Sequence, residues 1–275
     1  YLMKRNIKGD LYWIDILPVK PGFDHMIQYL IDGQIRIADP LSTLVLDPNN
    51  DAVIDSSTYP NLPKYPYGKT TGFVSVLNST SSNFNWIHND FKRPANEQLF
   101  VYELLIRDFD QKHTFNAITE RLLYLKELGV NAIELMPVNE FEGNQSWGYN
   151  PSFHMALDKY YGSRQAFKAM IDSAHSLGII VILDVVFNHA FGQSPLATMY
   201  WDKSNNAPAS NSPYLNSIAK HPYNVGYDFN HESIYTQNYV KQVLKYWIEE
   251  FKIDGFRFDL SKGFTQKNSG SNVDL

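Results

Sequence analysis

The sequence predicts an α/β fold in two parts: a small antiparallel β region, then a parallel sheet with helices packed on it. Three observations predict it. Short runs rich in β-branched and aromatic residues, separated by turn signals, fill the first third. From Gln98 onward, apolar strand-like runs alternate with segments of helical period. Those strand-like runs are apolar almost throughout, as strands buried on both faces of a parallel sheet must be.

The first third offers strands at 10–16, 25–31 and 34–38, with turns at Pro21-Gly22 and Asp32-Gly33. Three or four strands are too few for a complete sandwich, so residues 1–46 are expected to be part of a larger β domain. Residues 47–97 form a polar connector punctuated by Pro48, Pro60, Pro63, Pro66 and Pro94, with a weak strand at 72–77. A connector this long is expected to pack against the following domain. That domain, 98–275, begins with a strand at 99–106. Phe115, Ile118, Leu122 and Leu125 make the first helix face, and 132–136 the second strand. Phe167, Met170, Ile171, Ala174 and Leu177 make the second helix face, and 179–187 the third strand. Val240, Val243, Leu244, Trp247, Ile248 and Phe251 make the third helix face, and 255–260 the fourth strand. Gly129, Gly178 and Gly255 mark the helix-to-strand steps, where a positive φ is expected. Extra length after the third strand, 189–233, is rich in Asn, Pro, Ser and Tyr. It reads as an insertion on the C-terminal side of the sheet, where parallel α/β folds carry their sites.

Composition narrows the function classes. The chain has 275 residues, 44% of them hydrophobic, enough to bury a sizeable core. A net charge of −5 argues against a general nucleic-acid binder. With no cysteine there is neither a disulfide framework nor a thiolate metal site. No apolar run is long enough to span a bilayer. The chain opens on Tyr1 without a signal peptide, so both ends are expected to be cut from something longer.

Three polar clusters fall at predicted strand ends. In Arg257-Phe258-Asp259, the alternation of a strand puts Arg257 and Asp259 on one face and Phe256 and Phe258 on the helix-packed face. A guanidinium favours the ionised form of a neighbouring carboxylate, which suits a nucleophile. A lone Arg-x-Asp is more commonly a buried structural ion pair. Asp184, Asn188 and His189 end the third strand; they suit sugar hydroxyls or a hard cation, and equally a loop-capping network. Tyr149, in Trp147-Gly148-Tyr149-Asn150-Pro151, offers an aromatic face for a pyranose, and equally for packing at the sheet rim.

Together these motifs are more specific than any one of them. Asp184-Val185-Val186-Phe187-Asn188-His189, followed by Gly255-Phe256-Arg257-Phe258-Asp259, resembles the α-amylase family, glycoside hydrolase family 13. The Trp-Gly-Tyr-Asn-Pro turn, Val101-Tyr102-Glu103-Leu104 and Gly226-Tyr227-Asp228-Phe229-Asn230 fit the same family. The segment ending Ile37-Ala38-Asp39-Pro40 resembles the N-terminal β-sandwich of branching and debranching members.

The resemblance implies that 98–275 is the first half of a (β/α)8 TIM barrel, since a whole one takes about 250 residues. It also implies roles. Asp259 is the nucleophile and Arg257 orients it. Tyr149 stacks under the sugar and His189 binds it, with Asp184 supporting that loop. Lys262 lies on the acceptor side. Asn188 and Asp228 are implied calcium ligands, although Gly263 stands where many α-amylases have histidine. No organic cofactor is implied. The implied partner is an α-glucan polysaccharide or oligosaccharide, and the implied location is secreted, cell-surface or periplasmic, or cytoplasmic for a branching or debranching type. The general acid would be a glutamate after strand five, and no glutamate follows Asp259; Asp274 is the only later carboxylate side chain. The chain is therefore expected to hold the nucleophile half of a retaining glycosidase site and to be inactive alone. Two other readings compete: an amylase-like carbohydrate-binding protein without catalysis, and a metal-dependent hydrolase using Asp184, His189 and Asp259. The second lacks sufficient ligands at strand ends.

Overall fold

A computed structural model describes residues 1–9, 11–16, 19–20, 22–78, 83–222 and 225–264. Asp10, Pro21 and Asp274, invoked above, lie outside the described residues.

Four parallel strands form the central sheet in chain order: β1 (Val101–Leu104), β2 (Ala132–Leu135), β3 (Ile180–Val185) and β4 (Gly255–Phe258). Three helices connect them: α1 (Phe115–Glu127), α2 (Arg164–Ser176) and α3 (Ile234–Phe251). This is the expected half barrel. Each helix starts at a side-chain cap, where Thr114, Ser163 and Ser233 accept from the backbone N–H of Ala117, Ala166 and Tyr235. Phe115, Ile118, Leu122 and Leu125 are buried as expected, as are Phe167, Met170, Ile171 and Ala174. They meet Leu104, Leu135 and Leu183, the outward-facing strand residues, in one core.

The third helix face is narrower than its sequence period implies. Val243, Trp247 and Phe251 point into the core with Tyr239, while Ile248 is 50% exposed. Val240 and Leu244 are half-buried at the edge of that core and, with Ile248, line an open groove. Gly129 and Gly178 take positive φ after α1 and α2. Gly255 does not: Lys252 caps α3 in the left-handed conformation, and Gly255 is the first residue of β4.

The register puts Glu103, Glu134, Ile182 and Gly255 in one row on the inner face of the sheet. One step along, Asp184 pairs with Arg257. The outer edges of β1 and β4 pair with no strand among the described residues.

The N-terminal part is antiparallel. A hairpin joins Lys4–Arg5 to Tyr12–Trp13. The 25–31 run is two strands, Asp24–Ile27 and Tyr29–Ile31, broken at Gln28, whose amide donates to the carbonyls of Thr71 (2.9 Å) and Phe73 (2.6 Å). Tyr29–Ile31 turns back on Ile35–Ile37 through Asp32 and Gly33, both at positive φ. The weak strand at 72–77 is Val74–Asn78, and it lies between Asp24–Ile27 and Val45–Leu46. The pairing thus crosses the division at 46/47, because Val74 and Val76 share a core with Leu46. Ala38 and Val45 pack on Phe153 and Ala156, which ties this part to the barrel.

One element has no counterpart in the sequence reading. After β2 the chain forms a hairpin, Asn139–Phe141 with Pro151–Leu157, and the longer strand is buried at every position. The insertion at 189–233 holds His189–Ala190 paired with Tyr227–Asp228, a short helix at Pro195–Met199 and a small hairpin, Trp201–Asp202 with Ala207–Pro208. No helix among the described residues is long and apolar enough to cross a membrane.

Candidate active site

Three side chains at the C-terminal ends of β3 and β4, joined by Tyr149 from the turn of the hairpin after β2, form one hydrogen-bonded chain. Tyr149 Oη donates to Asp184 Oδ2 at 2.7 Å. Arg257 Nη1 donates to both Asp184 oxygens, at 3.1 and 2.9 Å, and to Asp259 Oδ1 at 2.8 Å. The strand register explains the bridge: Arg257 lies directly beside Asp184 on the neighbouring strand, and Asp259 follows two residues later on the same face. Asp259 keeps 17% of its side chain exposed, whereas that of Asp184 is fully buried. Burial pushes the Asp184 carboxyl up to about 6, against the opposing pull of Tyr149 and Arg257. Burial, then the bond to Asp184, pushes the Tyr149 phenol up as well. Tyr149 is aimed here by Gly148 at φ 92°, where an added Cβ would lie 2.5 Å from the Pro137 carbonyl oxygen.

His189 is almost fully buried, and both its ring nitrogens are used. Nε2 donates to the Tyr149 carbonyl at 2.9 Å, and Nδ1 accepts from the Asn188 amide at 3.2 Å. These bonds define the neutral Nε2–H tautomer, and burial lowers the imidazole pKa. His189 therefore locks the Tyr149 turn to the end of β3. Lys262 is exposed on the turn Ser261–Phe264, one turn beyond Asp259.

The sequence reading gave no role to two further groups. Glu134 faces the same inner surface, with Oε1 4.0 Å from Arg257 Nε; burial, then Glu103, pushes its pKa up. The period-two register of β2 is the signal that could have placed it. His154 is buried, with Nδ1 accepting from Tyr239 Oη and Nε2 donating to the Val186 carbonyl, each at 3.0 Å. Its strand, Pro151–Leu157, is buried at every position and so carries no alternation that would mark it in the sequence. The other two glutamates near β2 are occupied: Glu140 pairs with Lys159, and Glu142 Oε1 accepts from the Gln193 N–H at 3.0 Å.

The implied calcium ligands do not fit that ion. Asp228 Oδ1 accepts from His221 Nε2 at 3.0 Å, and Oδ2 accepts from the Asn216 amide at 2.7 Å and the Lys220 N–H at 3.2 Å. Asn188 Oδ1 is buried and accepts no hydrogen bond among the described residues, which leaves it open to a cation, but one open oxygen is far short of a calcium shell; it is packed onto Gly263, where an added Cβ would overlap it. Calcium takes six to eight oxygen ligands. Among the described residues no group of three or more acidic or histidine side chains could hold a metal.

Residues 89–215 match the family described as "Alpha amylase, catalytic domain". These residues belong to the α-amylase family. Tyr149, Asp184, Asn188 and His189 lie inside the α-amylase match; Asp228, Arg257, Asp259 and Lys262 follow it. The chain is 32% identical over 260 residues to a malto-oligosyltrehalose trehalohydrolase of Saccharolobus solfataricus, spanning 94% of this chain and 40% of that protein. It is 32% identical over 207 residues to a pullulanase of Bacillus subtilis, spanning 58% of this chain and 27% of that protein. A crystal structure from Salmonella typhimurium, described as a candidate α-amylase, superposes with a TM-score of 0.73 at 26% identity, covering 98% of this chain and 39% of that one. The chain thus spans less than half the length of these relatives.

Proposed function

We propose that the protein carrying this chain is a retaining α-glucan hydrolase or transglycosidase with Asp259 as its nucleophile. The observation that carries this reading is the Tyr149–Asp184–Arg257–Asp259 chain at the ends of adjacent strands, in a polypeptide matching α-amylase-family proteins. Arg257, fixed by the buried Asp184, holds Asp259 with its carboxylate facing the open side of the sheet. In the retaining reaction Asp259 attacks the anomeric carbon and forms a glycosyl ester. A second carboxyl group about 5 Å away protonates the leaving oxygen, then takes a proton from water or from an acceptor sugar.

None of Glu134, Glu140 and Glu142 is placed to fill the second role. Glu140 and Glu142 are engaged elsewhere, Glu134 lies inside the sheet beside Arg257, and no glutamate follows Asp259. The 275 residues therefore carry the nucleophile half, and alone they do not turn over glucan. The substrate is an α-glucan polysaccharide or oligosaccharide. The compartment follows the type: secreted, cell-surface or periplasmic for a hydrolase, cytoplasmic for a branching or debranching enzyme.

Asp259→Asn in the complete protein tests the assignment. Activity on maltooligosaccharides falls by about 10⁴-fold with the fold retained by circular dichroism. Activity within a few fold of the parent would remove Asp259 from the mechanism, and no activity in the parent would favour a binding protein.

A further inference from the structure

The insertion is joined to the end of β3 by a buried network that contains no metal ligand set. Asp228 is the register partner of His189, and the Phe229 N–H donates to the Asn188 carbonyl at 3.0 Å. The backbone around Asp228 is therefore tied to that of Asn188 and His189. Three donors hold it: the His221 ring, the Asn216 amide and the Lys220 N–H. The side chains of His221 and Asp228 are 1% and 3% exposed, so this pairing is made away from water, where it is strong.

Gly263 completes the arrangement. An added Cβ there would overlap Asn188 Oδ1 and lie 2.8 Å from His221 Nε2. Only glycine leaves room for Asn188 and His221 to close on the same point. Two features thus agree. The carboxylate oxygens that would face a cation already accept hydrogen bonds, and the nearest ring atom is nitrogen, a donor class that a hard cation disfavours.

We propose that His221 does the structural work of a metal ion here, bracing the insertion and positioning His189 with no calcium bound between Asn188 and Asp228. His221 is a positioning residue that acts through Asp228. Its effect on sugar binding rests on the functional reading above; its effect on stability and metal content does not.

The test uses the complete protein. Elemental analysis finds no calcium that depends on Asp228, and chelation with EDTA leaves Tm unchanged. A stoichiometric calcium ion that Asp228→Asn abolishes, or a calcium-reversible Tm fall on chelation that is absent in Asp228→Asn, overturns the proposal. Calcium that persists in Asp228→Asn sits elsewhere and leaves it standing. His221→Ala lowers Tm and raises KM for maltooligosaccharides more than it lowers kcat, and His221→Gln, which restores a donor, recovers part of both. His221→Ala with unchanged Tm overturns the proposal. Lowered Tm with unchanged KM overturns only the sugar-binding role of His189. If His221→Ala does not fold, His221→Gln and the chelation of the parent protein decide.

Discussion

Tyr149 and Asp184 make a buried donor–acceptor pair whose loss can be measured directly. Tyr149→Phe removes the 2.7 Å bond and leaves a buried carboxylate one donor short. Unfolding in urea should show a cost of about 1–3 kcal/mol. Gly263→Ala should cost a similar amount, about 1–3 kcal/mol, by driving a methyl into Asn188. His154 gives the clearest pH dependence. Burial lowers its pKa to about 4, and it is neutral in the fold. An imidazole with a depressed folded pKa gives stability that is present above its unfolded value and is lost as pH falls toward the folded one. Stability should therefore decline between about pH 6.5 and 4, by up to about 3 kcal/mol from this residue. His154→Gln should flatten that window in denaturation curves taken at successive pH values; an unchanged decline would assign it to other groups. At this scale the motif residues were legible because their spacing carries the strand period. Arg257 and Asp259 share a face for that reason alone. Glu134 was legible only through the period of β2, and His154 and His221 were not, since their partners come from distant segments.

Helices α1 and α2 follow their sequence period closely, because one apolar stripe each suffices to cover the sheet. Helix α3 carries two stripes, and a sequence cannot say which one the protein covers. The connector misled for a related reason. Val74–Asn78 has little strand signal of its own, yet it is the central strand of a three-stranded sheet, held by neighbours on both sides. The buried Lys159 ties these parts together, pairing with Glu140 of the β2 hairpin and, at 3.2 Å, with Asp51 of the 47–97 segment. Lys159→Met leaves both carboxylates buried without their cation and should cost about 3–5 kcal/mol. Denaturant unfolding of the variant checks this, and a cost below 1 kcal/mol would mean that the carboxylates take up protons instead.

Among the described residues the parallel sheet is half a barrel, and its two edge strands have no strand beside them. Phe100 and Val101 beside the β1 edge are 60% and 45% exposed, and Phe258 on β4 is 37% exposed. The Val240, Leu244 and Ile248 stripe lines a groove of about 720 Å³ along α3. Unpaired strand edges next to apolar surface recruit other strands. The 275-residue chain, expressed alone, should self-associate in light scattering, whereas a stable monomer with a single cooperative transition would mean these edges are tolerated. The parallel sheet was legible from strand alternation, and the barrel from the motifs. Neither reveals what completes the sheet, because that is a matter of neighbours rather than of local pattern. The central claim is that Asp259 forms a covalent bond to sugar. A fluorinated α-glucosyl fluoride, which slows breakdown of a glycosyl ester, should label the complete protein once. Mass spectrometry of the tryptic peptide covering residues 258–262 should carry the added sugar on Asp259. Turnover of substrate with that peptide unlabelled, or with the label on another carboxylate, would contradict the account.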